Sequence, residues 1–508
     1  MTLSISRRHF VQGAVAGSVL GGLGDLRFLS QLGPLSAAET KLPSGAVQFR
    51  PDIEPLVRLL EETPRDKLLE EIGARIRHGL SYREVLTALL LAGIRNVQPR
   101  PAVGFKFHAV LVVNAAHLAS LQSPEEHRWL PIFWALDYFK DAQAQNEHEG
   151  NWIMPTVDEA KLPSASKAQT AFIAAMDAWD EAPADTAAAA LARGSGTGDV
   201  FELLFRYGCR DFRSIGHKAI YVANSWRLLG CIGQEHAEPV VRSLAYALLN
   251  REGDRKNEDA PADHPIQRNR ELAAQIPAVW QDGRLDDHAT SELLASLRQG
   301  SDEENCKLVV DLLNRGVAPQ SIWDALLVGA GELLVRQPGI VALHAVTSTN
   351  ALHFAYGTAA SDETRRLLLL QNAAFLPLFR QALTSRGPLK EHRLDQLESI
   401  PTTAAGAGAI EEIFADVSGD RLTAAGKVLG YLNAGGDPQR LIDAARLLVF
   451  LKGNNAHDYK FSSAVLEDYY HVSPTWRNRY LAASVFNLRG SQQPDNQLVE
   501  RTRAALKA

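Results

Sequence analysis

The 508-residue chain is predicted to be all-α, with four pseudo-repeats of about three helices each packed into one helical array around a central site. Three observations predict this. Leu/Ala runs at helical spacing dominate the sequence, and alternating Val/Ile/Thr segments bounded by turns are nearly absent. The third is a recurrence: His108-Ala-Val-Leu-Val-Val-Asn114-Ala-Ala-His117-Leu-Ala is answered by His344-Ala-Val-Thr-Ser-Thr-Asn350-Ala-Leu-His353-Phe-Ala. Two unrelated helices would rarely agree at so many positions.

The first element stands apart from the fold. Ser6-Arg7-Arg8-His9-Phe10-Val11 leads into an apolar, glycine-rich stretch ending near Ser36-Ala37-Ala38, the pattern of a twin-arginine export signal over residues 1–38. A membrane anchor is the alternative, but Asp25 and Arg27 interrupt the apolar run well short of the ~20 residues a span needs. The expected location is therefore periplasmic or secreted, with the twin-arginine translocation machinery as a transient partner and no stable membrane span. That route carries folded proteins, often with a cofactor inserted, which favours a metal loaded before export.

Residues 39–508 are expected to form one domain, because four units that each lack a full core would pack as one array. The units cover about 65–150, 186–250, 305–385 and 424–490. Gly216-His217-Lys218-Ala-Ile-Tyr221-Val-Ala-Asn224 is the second copy of the histidine segment, with Lys218 in the frame of His108. Asn455-Ala456-His457-Asp458-Tyr459-Lys460 is the fourth and most diverged. The four histidines are separated by 109, 127 and 113 residues, so the repeat is a small subdomain. A helix start precedes each copy, at Ser81, Thr197, Pro319 and Pro438; Ser81 with Glu84 makes a capping box, and the two prolines suit a first turn. A further helix follows, with Trp129-Leu-Pro-Ile-Phe133 answered by Phe375-Leu-Pro-Leu-Phe379. The Ala/Gly/Asp/Thr-rich segment Pro183–Gly198 and the charged stretch Asn250–Asn269 read as surface connections.

Composition narrows the chemistry. Three cysteines, Cys209, Cys231 and Cys306, rule out a disulfide framework and a Cys-rich zinc or iron–sulfur site. A formal charge of −6 without a Lys/Arg-rich block argues against nucleic acid. No Cys-x-x-Cys-His motif exists to attach haem. A metal would have to rest on histidine, carboxylate or lysine.

At 100° per residue, His108 and His117 point to opposite sides of a helix, as do His344 and His353. One ion cannot take all four. His108 and His344 recur in frame and His217 stands one place before it; with His457 of the fourth copy they are the candidate metal centre, His117 and His353 taking structural or supporting roles. Isolated histidines on helices are ordinarily packing residues, and His236, His264, His392 and His471 are read so. Asn114, Asn224 and Asn350 are read as satisfying buried backbone groups. Four neutral imidazoles leave a divalent ion uncompensated in a dry interior, so an anionic ligand is expected. His457 and Lys460 lie three apart on one face. A buried lysine near a cation has a depressed pKa, and its neutral amine can take up carbon dioxide as a carbamate. Lys460 and Lys218 are both candidates, and Asp458 and Asp468 are plainer sources of charge.

Gly216-His217-Lys218, His344-Ala-Val-Thr347, His457-Asp-Tyr-Lys460 and the four-fold helical arrangement resemble questin oxidase-like proteins. The resemblance, which would cover most of the mature chain, implies a non-haem iron oxygenase that opens or cleaves rings of anthraquinone-type polyphenols. It implies His108, His217, His344 and His457 as ligands and Lys460 as a carboxylated lysine, with His457 and Lys460 at the catalytic centre. Members of that family act inside cells, whereas this chain carries an export signal. The expected cofactor is Fe(2+), with Zn(2+) as the alternative; the expected partners are O2 and an aromatic or polyphenolic small molecule. Tyr221, Trp226, Phe354, Tyr356, Tyr459 and Phe461 are candidates to line a pocket for a flat substrate, and Lys106, Arg213 or Arg227 to orient an anionic group. A zinc hydrolase using the same residues and a metal-free helical-repeat binding scaffold are the rival classes.

Overall fold

The computed structural model describes residues 45–100, 106–251 and 263–507. The twin-arginine segment, its cleavage point at Ala38 and positions 252–262 of the charged stretch lie outside them. The described residues form 22 α-helices and no strand; their β pairing is limited to two isolated bridges, Ala46 with Pro155 and Arg284 with Val317. None of these helices is long and apolar enough to cross a membrane.

Four helices occupy the centre: His108–Leu121, His217–Ile232, Ile340–Thr358 and Ala456–Asp468. Each packs against the next around a closed ring, the fourth returning to the first. Most of their residues are buried. The first and third have no polar stripe, because a helix enclosed on all sides has no face for water. Each central helix also packs on the one before it, respectively Tyr82–Asn96, Thr197–Gly208, Pro319–Arg336 and Pro438–Lys452. On their other flank are Leu130–His148, Ala237–Leu248, Asp362–Thr384 and Pro474–Ser484. The outer helix Thr197–Gly208 shows the usual one-sided burial, with Val200, Phe201, Leu204 and Phe205 inward.

The helix starts are made by short-range chemistry. Ser81 and Glu84 form the expected capping box, and Pro319 and Pro438 occupy first turns. Asn455 caps the fourth central helix and pairs with Asp458 in a second such box.

One expected connection is instead helical, and so is the described end of the other from His264. Glu181–Gly194 takes in most of Pro183–Gly198, and Ala184 and Ala187–Leu191 are buried against Ala165–Ala178 and Ala237–Leu248. Alanine has the highest helix propensity, and its small side chain lets neighbouring helices approach closely; Gly, Asp and Thr in the same stretch had pointed the other way. Asn269 also lies in a helix, His264–Ala273, where its buried amide donates to Gln371 Oε1 at 2.8 Å.

The N-terminal described segment is tied down by a buried guanidinium. Arg95, 0% exposed, donates to Glu54 at 2.8 and 2.9 Å, to Glu61 at 2.8 Å on two nitrogens, and to the Val47 carbonyl at 3.2 Å. Deleting the cation strands two carboxylates in a dry setting, which costs far more than the net worth of the ion pairs. Arg95→Leu is expected to lose about 3–5 kcal/mol of stability, read from the urea midpoint; a loss below about 1 kcal/mol would show that the two carboxylates find water instead.

Candidate metal centre

The entry to His217 is an unusual piece of backbone. Ile215 and Gly216 both adopt positive φ, 43° and 82°. For a β-branched residue that conformation costs of order 1–3 kcal/mol and persists only where surrounding packing enforces it. Gly216 is required sterically, because a Cβ there would sit 2.3 Å from Cβ of Ser348 on the third central helix. The bend starts the helix with His217 turned into the bundle.

His217 Nδ1 donates to the Ser214 carbonyl at 2.8 Å, and His344 Nδ1 to the Ile340 carbonyl at 2.6 Å. A carbonyl can only accept, so in both rings Nδ1 carries the hydrogen and Nε2 keeps a lone pair. Those two Nε2 atoms nevertheless face each other at 2.9 Å, and His217 Nε2 lies 3.1 Å from His108 Nε2. Neither His217 nor His344 has a proton to offer the other, so the contact is repulsive unless a cation is shared. Nitrogens around one ion at the usual ~2.1 Å bond length are roughly 3 Å apart, which the observed spacing matches. His457 completes the cluster: it, His108 and His344 each offer a ligand atom within 4.8 Å of the other two. His108, His217 and His344 are at most 2% exposed. Burial, followed by neighbouring positive groups, holds His217 and His344 well below the ordinary histidine pKa and His457 down at about 3. Neutral imidazole is the form that binds metal.

Of the two candidate lysines, the one that reaches the cluster is Lys460, whose Nζ lies 3.5 Å from His344 Nε2. Burial lowers its pKa to about 7. Lys218 Nζ instead donates to both oxygens of Asp211, at 2.7 and 3.0 Å, beside the Trp179 ring. Neither aspartate serves the cluster. Asp458 accepts the backbone N–H groups of Asn454 and Asn455 and pairs with Arg489 at 2.5 Å. Asp468 is two helical turns from Lys460, accepting from Asn350 Nδ2 at 2.7 Å and Tyr480 Oη at 3.0 Å.

His117 and His353 lie apart from the cluster as expected, His117 at 3.0 Å from Tyr82 Oη and His353 against the Trp323 and His471 rings. Asn224 satisfies the Leu111 carbonyl, but Asn114 donates to the Asn224 side chain and Asn350 to Glu467 and Asp468, so one of the three asparagines meets the backbone as expected. The aromatic candidates are mostly core: Tyr221 packs on Phe107, Trp226 on Phe201 and Phe205, Tyr356 on Trp323, Tyr459 on Trp134, and Phe461 is fully buried. Phe354 borders a cavity at the far end of the bundle. The candidate anion-orienting residues are all engaged, Lys106 with Glu149, Arg213 with Asp263 and Arg227 with Glu467.

A cavity of about 230 Å³ opens onto His457, walled in part by Arg421, Arg489 and Asn455. Sequence reasoning passed over these residues, since Arg421 and Arg489 belong to no repeated motif. A larger cavity, about 640 Å³, lies among charged residues of Glu54–Glu62 and Arg65–Arg77 and touches none of the clustered histidines. Comparison with protein-family models, curated proteins and solved structures gives no match.

Asp468 provides a pH signature. Burial, then repulsion from Glu467, pushes its carboxyl up to about 8 from an ordinary 3.8. The protonated form is thus favoured in the fold; its stabilising contribution is complete below pH ~4 and disappears as pH rises towards 8. Asp468→Asn, which mimics the protonated carboxyl, is expected to gain a few kcal/mol over the parent between pH 5 and pH 8. Chemical denaturation at both pH values tests this, and a pH-independent difference would refute it.

Proposed function

We propose that the protein is a metal-dependent oxygenase in which His108, His217, His344 and His457 hold a non-haem iron(II) and Lys460, as a carbamate, supplies the anionic ligand. The observation that carries this reading is the approach of Nε2 lone pairs to 2.9 Å with both Nδ1 hydrogens committed to backbone carbonyls. That arrangement asks for a cation, and four imidazoles ask in turn for a negative charge.

Lys460 is the residue suited to provide it. Its amine, held near neutral by burial, attacks carbon dioxide; an N–C bond forms, one proton leaves to solvent, and the ammonium-forming group becomes an anion with carboxylate oxygens. The backbone-bound Nδ1 atoms of His217 and His344 fix tautomer and ring orientation, the usual task of the groups behind a metal ligand. His457, the one partly exposed member, forms the boundary between the cluster and the cavity.

The choice of iron over zinc rests on the resemblance to questin oxidase-like proteins. When bound, iron(II) would supply dioxygen activation for ring opening or carbon–carbon cleavage of an aromatic or polyphenolic substrate. Export through the twin-arginine route to the periplasm or beyond fits the N-terminal Ser-Arg-Arg-His-Phe sequence and a centre assembled before translocation. Zinc-dependent hydrolysis is the second reading, favoured by the polar wall of the adjacent cavity and a ligand set equally suited to zinc.

Elemental analysis of the purified protein and a His344→Ala variant tests the reading. About one iron per chain, lost in the variant while circular dichroism is unchanged, is expected, together with O2 uptake on adding phenolic substrates. Zinc in place of iron moves the assignment to hydrolysis, and no metal in either protein overturns it. Exchange with 13C-bicarbonate is expected to give a carbamate carbon resonance that disappears in Lys460→Arg; its absence from the parent protein would remove the carbamate.

A further inference from the structure

The cavity beside His457 has a local charge imbalance. Its wall carries two guanidinium groups, Arg421 and Arg489, against one carboxylate, Asp458. Asp458 is already used by Arg489 and by the N–H groups of Asn454 and Asn455. Arg421 donates to the Phe486 carbonyl and meets no carboxylate among the described residues. It is also repelled by Arg489, and together with burial this lowers its pKa. Arg489 adds a donor of its own: Nε is buried and has no acceptor among the described residues. Arg95, Arg242 and Arg298 each have carboxylates against them, whereas Arg380, like Arg421, bonds backbone carbonyls but, unlike it, does not line this cavity beside a second guanidinium. A paired but uncompensated guanidinium in a recess calls for an anion from outside.

The surroundings agree. The central helix Ile340–Thr358 begins on this wall at Gly339 without a side-chain cap, so the positive end of its dipole adds to the field. Ile340, Leu343 and Leu488 give the wall an apolar part, beside the amides of Asn455 and Asn487. At about 230 Å³ the recess is below the ~300–1,000 Å³ of pockets for drug-sized ligands, so it suits one ring better than three fused ones.

We propose that this cavity binds the carboxylate of a single-ring aromatic acid, with Arg421 as the charge-pairing residue, Arg489 as a supporting donor and the ring directed towards His457. This names the substrate class for the centre described above and rests on that reading for the reaction, while anion binding itself stands on the cavity alone. It also narrows the substrate from a polyphenol to a small aromatic anion.

The test is calorimetric titration of the full-length protein with benzoate and with neutral, similarly shaped benzamide, in the parent, Arg421→Gln and Arg421→Lys. A charge-assisted bidentate pair is worth about 1.5–3 kcal/mol, or roughly 10- to 100-fold in affinity. Benzoate is expected to bind the parent at least about tenfold more tightly than benzamide, the difference to vanish in Arg421→Gln, and part of it to return in Arg421→Lys. Equal affinity for the two probes in the parent, or undiminished benzoate binding in a folded Arg421→Gln, would overturn the proposal. The parent comparison decides the matter even if a variant fails to fold. Elemental analysis of the same untreated preparation separates the two ideas: Arg421-dependent benzoate binding in a protein that holds no metal removes the oxygenase and keeps the anion site. Metal without charge discrimination does the reverse.

Discussion

The structure turns on imidazole nitrogens whose lone pairs are forced together. His217 and His344 have their Nδ1 hydrogens committed to the Ser214 and Ile340 carbonyls, so neither ring can turn its hydrogen to the other across 2.9 Å. Such a contact is tolerable only if the fold holds both rings against their repulsion or a cation joins them. The packing explains how the rings are held: each histidine sits within the first five residues of a helix whose neighbours in the ring are also histidine helices. The rings meet at one end of the bundle because their helices pack side by side.

That placement explains several costs borne nearby. A positive-φ isoleucine immediately before Gly216, and a glycine whose Cβ would collide with Ser348, buy the close approach of the second and third central helices. Among the described residues Lys460 meets no counter-charge at hydrogen-bond distance, while Lys218, also buried, has Asp211. The contrast sets a structural ion pair beside a lysine whose charge burial disfavours.

The two ends of the central bundle differ in kind. At the histidine end, positive groups gather around the cavity with little to balance them. At the other end, Arg227, Glu467, Asn350, Asp468 and Tyr480 form a network in which each polar group meets another, apart from the protonation that burial imposes on Asp468. A satisfied network stabilises and specifies packing; an unbalanced one is where a ligand has something to contribute.

The amino-acid sequence by itself determined the all-helical class, the helix starts at Ser81, Pro319 and Pro438, and the shared frame of His108 and His344, with His217 and His457 in the other two copies. These follow from periodicity and caps, which act within one or two turns of the same chain. It also carried enough helical-face geometry to set His117 and His353 apart. Which lysine meets the histidines, which aspartates are already occupied, and that Tyr221, Trp226 and Tyr459 are core were decided only by tertiary structure. Each depends on a partner from another helix, such as Tyr459 on Trp134 or Lys460 on His344, and no local rule states which side chain arrives there. Pro183–Gly198 was misread for the same reason, since its alanines become informative only once two neighbouring helices close on them. Arg421 and Arg489 belong to no repeated motif, and their significance is an imbalance of charge around a cavity, a quantity that exists only after the chain has folded.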